Sequence, residues 1–146
     1  MEIILAENHG FCYGVKRAVE MANEAAEGKG KSYTLGPIIH NPQVVGRLES
    51  KGVSPIQEVA DIDEGTMIIR SHGVGPAIYA EAEEKGLHIL DATCPHVKKA
   101  QQDAKSVIED GMTLVILGEK NHPEVKSINL WANNKGIIIE DEESAK

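Results

Sequence analysis

The chain has 146 residues, a formal net charge of −8 and a hydrophobic fraction of 41%, which is the composition of an ordinary globular protein with a core of its own. The negative charge argues against a general nucleic-acid binder, and an aromatic fraction of 3% offers no platform for stacking bases. No apolar run reaches the length of about 18 residues that a membrane helix needs. The first residues also lack the basic start and cleavage site of a secretory signal. We therefore expect a cytoplasmic protein that binds neither nucleic acid nor membrane.

Apolar runs alternate with helical patterns through the first two thirds of the chain. Short apolar runs bounded by turn residues indicate strands, and apolar residues at three- and four-residue steps indicate helices. The patterns predict strands over residues 2–6, 32–35 and 66–70 and a strand that begins at His88, with helices over residues 15–27, 42–51 and 76–85. Residues 53–65 are predicted to be a polar connection.

The last third continues the same alternation. Pro95 suits the first turn of a helix that extends to about residue 110, and strands are predicted over residues 113–117 and 136–140 with a helix between them. Asn121 and Glu124 fit a capping box at the start of that helix. The chain is thus predicted to have an α/β fold. A mostly parallel four-stranded sheet unit flanked by helices occupies residues 1–96, and an incomplete second α/β unit occupies residues 97–146.

Five histidines and cysteines fall where a predicted strand ends or a predicted helix begins. They are Cys12, His40, His72, Cys94 and His122. The carboxyl ends of parallel strands are where ligands bind in open α/β sheets, and helix N-termini at that edge favour anions, phosphate in particular. A cysteine at a helix start tends towards thiolate, the form that holds iron–sulfur clusters. Glu124 is placed to deliver a proton.

Each of these residues also has an ordinary explanation. Free cysteines are usually small buried hydrophobes, a single histidine often caps a helix, and the capping box accounts for Glu124. Two other functions therefore stay open from residue types alone. One is a non-enzymatic anion-binding protein with structural cysteines. The other is a Zn²⁺ site formed by Cys12, Cys94 and one or two histidines.

Five short motifs occur together and in order along most of the chain. They are Gly10-Phe-Cys12-Tyr-Gly14-Val-Lys-Arg-Ala18, Ile39-His40-Asn41, Ser71-His72-Gly73-Val74, Asp91-Ala-Thr-Cys94-Pro95 and His122-Pro-Glu124-Val125. This set closely resembles the 4-hydroxy-3-methylbut-2-enyl diphosphate reductases, the LytB/IspH family of the non-mevalonate isoprenoid pathway.

The resemblance implies a fold of three α/β units around a central [4Fe–4S] cluster, which three cysteines hold. It implies that Cys12 and Cys94 are cluster ligands and that Glu124 is the proton donor. His40 and His72 correspond to diphosphate-binding residues and His122 to a substrate-pocket residue. The implied reaction is the reductive dehydroxylation of an allylic diphosphate to isopentenyl and dimethylallyl diphosphate. Ferredoxin or flavodoxin would be the electron donor.

The sequence departs from the family in its length and in its cysteines. Family members are about twice as long, and the third cluster cysteine has no counterpart here, because the chain contains only two cysteines. Since these clusters depend on thiolate ligands, we expect the chain alone to hold a cluster poorly and to be inactive by itself. The alternative is a non-catalytic anion- or zinc-binding α/β remnant.

Overall fold

Two parallel sheets organise the chain in the computed structural model, which describes residues 2–7 and 9–145. The larger sheet has four strands in the order β2-β1-β3-β4, and the smaller has two, β5 and β6. The strands are β1 (Ser32–Leu35), β2 (Val53–Ile56), β3 (Thr66–Ile69), β4 (His88–Asp91), β5 (Val115–Leu117) and β6 (Ile137–Ile139). The helices are α1 (Tyr13–Glu27), α2 (Pro42–Ser50), α3 (Pro76–Glu84), α4 (Pro95–Glu109) and α5 (Pro123–Trp131), with a 3₁₀ turn over Val59–Asp61.

Every strand pair in the two sheets is parallel. Ser32 of β1 lies opposite both Val53 and Thr66, and Thr66 lies opposite His88. Because the strands run in the same direction, their carboxyl ends meet at one edge of the larger sheet. This confirms the predicted α/β class and the parallel four-stranded sheet flanked by helices.

Strand β3 divides the core into two layers. Ile68 packs into the layer that α1 and α2 cover, whereas Met67 and Ile69 pack into the layer under α3 and the 3₁₀ turn. All three side chains are fully buried. The alternation follows from the two-residue period of a strand, and it shows that both faces of the sheet are covered, as parallel sheets require.

One predicted strand is absent, and another strand forms where none was predicted. Residues 2–6 form no strand, and Ile3, Ile4 and Leu5 are 74%, 82% and 75% exposed. The unpredicted strand is β2, which lies at one edge of the four-stranded sheet and inside the stretch predicted to be a polar connection. Pro55 obscured it in the sequence, but proline is tolerated on an edge strand, and β2 pairs only with β1. An apolar run such as 2–6 becomes a strand only with a neighbour to pair with.

Helix α5 packs onto the larger sheet unit. The Trp131 Nε1–H donates to the backbone oxygen of Val74 at 2.9 Å, and the Ser127 hydroxyl lies 2.8 Å from the backbone oxygen of His72. The Gln101 side chain in α4 donates to the same hydroxyl at 3.3 Å. The second unit is therefore docked on the first, and the boundary predicted between residues 96 and 97 stays a prediction. No helix within the described ranges is both long and apolar enough to span a membrane.

Candidate functional site

Three histidines from distant parts of the sequence meet at the carboxyl edge of the larger sheet. The ring centroid of His40 lies 4.5 Å from that of His72 and 5.9 Å from that of His122. His72 and His122 are separated by 5.6 Å. One ring nitrogen of each histidine lies within 4.8 Å of those of the other two. We call this group the histidine face. It contains all three residues predicted to bind substrate, although the roles themselves stay predictions.

The chain places each histidine through its local backbone. His40 precedes Asn41, whose side chain caps α2 by accepting from the Val44 N–H at 3.0 Å. His72 lies in a tight turn in which the Gly73 N–H donates to the backbone oxygen of Arg70 at 3.0 Å. Gly73 has a φ of +72° and faces Gln101 so closely that a Cβ atom would collide with its amide. The turn after His72 therefore requires glycine at position 73.

His122 is the N-cap of α5, which corrects the predicted capping box. Its Nδ1 accepts from the Glu124 N–H at 3.2 Å. Pro123 occupies the first helical position, so the cap falls on His122 and not on Asn121. Since Nδ1 accepts a hydrogen bond, the neutral ring carries its proton on Nε2. That Nε2–H is free to donate to a ligand.

Burial keeps His72 neutral at physiological pH. It lowers the pKa of His72 from 6.5 to about 4, with smaller contributions from the charges of His40, Arg70 and His122. The Nδ1 atom of His72 is buried and has no hydrogen-bond partner within the described residues. An anion placed on the histidine face would favour the protonated ring. The site is therefore able to take up a proton when an anion binds.

Glu124 stands in the first turn of α5, two residues after His122. Its side chain is partly buried and forms no hydrogen bond or ion pair within residues 2–7 and 9–145. Its backbone is held on both sides. The Glu124 N–H donates to His122 Nδ1, and the Glu124 backbone oxygen accepts from the Ser127 hydroxyl at 2.9 Å. Glu124 is thus held by its backbone in the first turn of the helix that His122 caps.

The two cysteines begin two neighbouring helices. Cys12 is the N-cap of α1 and is exposed, and Cys94 is the N-cap of α4 and is partly buried. A Cβ atom on Gly14, in the first turn of α1, would lie 2.5 Å from the Cys94 sulfur. The two helix starts are therefore in direct contact. Both thiols lie at helix N-termini, where backbone N–H groups lack partners within the helix.

The turn before Cys94 is held by the partly buried carboxylate of Asp91. Burial alone would raise the pKa of Asp91, but hydrogen bonds from Lys98, Thr93 and Tyr79 outweigh it and hold that pKa below its usual value. Lys98 forms an ion pair with Asp91 at 2.6 Å, and the Thr93 N–H donates at 2.9 Å. Tyr79 donates its hydroxyl hydrogen to Asp91 at 2.9 Å. Burial raises the pKa of Tyr79, and the charge of Asp91 raises it further. These hydrogen bonds hold the turn between β4 and Cys94, the N-cap of α4.

Sequence reasoning missed Arg17, which ties α1 to this turn. Its guanidinium donates to the backbone oxygen of Thr93 at 3.2 Å and to that of Asp91 at 3.4 Å. Arg17 belongs to the first of the five family motifs, Gly10 to Ala18. Its hydrogen-bond partners lie more than 70 residues later, and no pattern in the sequence indicates them. Arg70, at the end of β3, was also missed.

The structure does not bring the cysteines and the histidines into one metal site. Among the described residues, the close group of possible metal ligands is the histidine face, and it includes neither cysteine. The donor set instead separates into two parts. Two thiols at adjacent helix starts suit two corners of a cluster, and three imidazoles suit an anion.

A family model described as LytB protein matches residues 3–146. The chain belongs to the LytB protein family. Among its curated relatives, the 4-hydroxy-3-methylbut-2-enyl diphosphate reductase of Geobacter metallireducens is 52% identical over 145 residues, which are 99% of this chain and 51% of the relative. That of Geotalea uraniireducens is 50% identical over 147 residues, or 52% of its length. The chain thus spans about half the length of the LytB relatives it matches.

Solved structures agree with this assignment. A structure of (E)-4-hydroxy-3-methyl-but-2-enyl diphosphate reductase, the terminal enzyme of the non-mevalonate pathway, aligns with a TM-score of 0.83 at 48% identity. It covers 97% of this chain and 52% of that one. The E-1-hydroxy-2-methyl-but-2-enyl-4-diphosphate reductase from Plasmodium falciparum aligns with a TM-score of 0.90 at 32% identity, over 94% of this chain and 44% of that one. The predicted resemblance to the LytB/IspH family is confirmed.

Replacing Gly14 with alanine tests the contact between the two helix starts. The added Cβ would meet the Cys94 sulfur at 2.5 Å, so we expect Gly14→Ala to lower the free energy of unfolding by roughly 1–3 kcal/mol. Gly46→Ala is the matched control. Nothing lies within 4 Å of its Cβ position inside α2, so stability should stay the same or rise by up to about 1 kcal/mol. Urea unfolding that gives the same change for both variants would contradict the contact.

The low pKa of His72 predicts a loss of stability in acid. The unfolded chain binds a proton near the ordinary value of 6.5, whereas folded His72 binds it only near about 4. Its share of the free energy of unfolding is therefore complete above pH 6.5 and is lost as the pH falls from 6.5 towards 4. His72→Gln should flatten this part of the pH profile, measured by urea unfolding at several pH values. Identical slopes for the variant and the wild type would show that His72 titrates normally.

Proposed function

We propose that the chain supplies half of the active site of a 4-hydroxy-3-methylbut-2-enyl diphosphate reductase. The reaction is the reductive removal of an allylic hydroxyl, in which two electrons and two protons yield water and isopentenyl or dimethylallyl diphosphate. One observation carries this proposal above the rest. The histidines that the family resemblance assigns to substrate come together on one face, in a chain that matches the family from residue 3 to residue 146.

The histidine face would bind the diphosphate. His122 offers an Nε2–H because its Nδ1 is occupied by the helix cap. His40 is exposed at the start of α2, so it reaches a ligand without displacing protein atoms. His72 becomes a charged donor once an anion offsets the cost of protonating it. The N-termini of α2 and α5 add free N–H groups and partial positive charge at the same edge.

Glu124 would deliver the proton that accompanies loss of the hydroxyl. Its carboxyl group is partly shielded, lies in the first turn of the helix that His122 caps, and is engaged by no other side chain in the described part of the chain. A carboxyl group held beside the bound substrate can transfer a proton without long rearrangement.

Cys12 and Cys94 would hold two corners of a [4Fe–4S] cluster, and the third ligand would come from outside this chain. The fit rests on two free thiols at adjoining helix N-termini, since cysteine sulfurs are the usual ligands of such clusters. Such a cluster supplies the electrons and a Lewis-acidic iron. Ferredoxin or flavodoxin in the cytoplasm would be its reductant. With two of three thiolates, the 146-residue chain would hold the cluster poorly and turn over little.

The competing function is a non-catalytic anion- or zinc-binding remnant. The histidine face favours it in one respect, because three imidazole nitrogens within 4.8 Å resemble a metal site. The cap of α5 argues against zinc. His122 uses the Nδ1 lone pair to accept from Glu124 and carries its proton on Nε2, so coordination at either nitrogen requires a change in that hydrogen bond. Anaerobic reconstitution tests the zinc alternative, because a zinc site would give colourless protein with stoichiometric zinc, whereas a partly held cluster would bind iron.

Substitution of Glu124 tests the reductase proposal in a longer chain that carries the half missing here. We expect Glu124→Gln to lower the single-turnover rate by roughly 10²- to 10⁴-fold, with little change in substrate affinity, because the amide keeps the size but carries no transferable proton. Glu119→Gln is the matched control, since Glu119 is exposed before α5, and its rate should equal that of the wild type. Unchanged turnover in Glu124→Gln would exclude the proton-donor role.

A further inference from the structure

A cleft of about 310 Å³ lies between the larger sheet unit and α5. Residues from both parts line it, including Gly36, Arg70, Gly75, Asn121, Lys126 and Leu130. None of the three rings of the histidine face lines this cleft, and neither does any aspartate or glutamate. The cleft is thus a separate concavity with two cationic side chains and no carboxylate.

Arg70 is a cation without a counterion. Its guanidinium forms no hydrogen bond or ion pair within residues 2–7 and 9–145, and its Nε atom is buried with no partner. Burial lowers the pKa of Arg70. A partly buried charge without a partner is costly, so guanidinium groups in clefts are normally paired. The chain has 23 acidic residues, yet none of the ion pairs among the described residues includes Arg70.

The backbone around Arg70 is shaped to accommodate its guanidinium. A Cβ atom on Gly36 would lie 2.8 Å from the Arg70 Nη1 atom, and Gly36 has a φ of +70°. Only glycine meets both conditions without strain. Lys126 of α5 also lines the cleft, and it belongs to none of the ion pairs within the described residues. The cleft thus contains the planar guanidinium of Arg70, with its several N–H donors, and the ammonium group of Lys126.

We propose that this cleft is a second oxyanion site, which takes the phosphate group of a small molecule. Two cations match a phosphate dianion, whereas a carboxylate would neutralise only one of them. The guanidinium supplies paired N–H donors with the spacing of two phosphate oxygens, and Lys126 supplies the second charge. The volume accommodates a phosphate with a small organic group. The site adjoins the histidine face, since Gly73 and Asn121 line the cleft, but none of the three rings lines it.

Titration of the isotope-labelled 146-residue chain with inorganic phosphate tests the site. We expect the backbone amide signals of Gly36 and Gly75 to shift with phosphate, and Arg70→Gln to weaken that binding roughly 10- to 100-fold, the value of hydrogen bonds to a charged group. Acetate should bind more weakly, because it carries one charge. Arg47→Gln is the matched control, since Arg47 is exposed on α2 and does not line the cleft.

Two further variants make the result decisive. Lys126→Gln changes an exposed side chain that should not affect folding, so a fall in phosphate affinity of a few-fold would support the site even if Arg70→Gln fails to fold. His40→Ala alters only the histidine face, so the response of Gly36 and Gly75 should remain. The proposal is overturned if phosphate affinity at these glycines is unchanged by both cleft variants, if His40→Ala removes it, or if acetate binds as tightly as phosphate. The signals of His40 and His122 report the histidine face separately.

Discussion

The histidine face depends on the packing of one helix against one turn. Ser127 and Trp131 of α5 donate to the backbone oxygens of His72 and Val74 at 2.8 and 2.9 Å. Gly75 lies so close to Leu130 that a Cβ atom would come within 2.9 Å of the leucine Cβ. These contacts fix where α5 begins, and its N-cap is His122. Without them, His122 would belong to a separate unit and would not meet the other two histidines.

The carboxyl edge of the sheet was predictable because parallel strands bring their ends together. His40 and His72 were placed there from the apolar runs before them, and Asn41 was recognised as a cap from residue type alone. The pairing of strands was not predictable in the same way. Residues 2–6 are more apolar than β2, yet β2 joins the sheet and residues 2–6 do not. A strand forms only where another strand lies beside it, and a local sequence pattern does not reveal which strands are adjacent.

Side-chain chemistry at the site was less accessible to sequence reasoning than its location. The cap on His122 follows from Pro123 at the first helical position, which a capping-box pattern alone misassigns to Asn121. The neutral state of His72 arises from burial, and the Arg70 Nε atom is buried without a partner among the described residues. Both depend on three-dimensional surroundings, so no spacing of residues reveals them.

Charge in this chain is arranged against its overall sign. The net charge is −8, yet the edge of the sheet presents three imidazoles, two helix N-termini and, in the adjacent cleft, two cations. An acidic surface repels anions generally, and local donors then select those that fit. The two thiols stand at the starts of two other helices, α1 and α4. Under the proposed function, the histidine face would bind the anion and the two thiols would hold part of the cluster.

The measurement that tests this account most directly is a pyrophosphate titration of the 146-residue chain, followed through the ring signals of its histidines. The account predicts that the signals of His40, His72 and His122 shift together with one affinity, and that the pKa of His72 rises from about 4 when the anion binds. Shifts confined to His9, His88 and His96, or a pKa of His72 that does not respond to pyrophosphate, would contradict it.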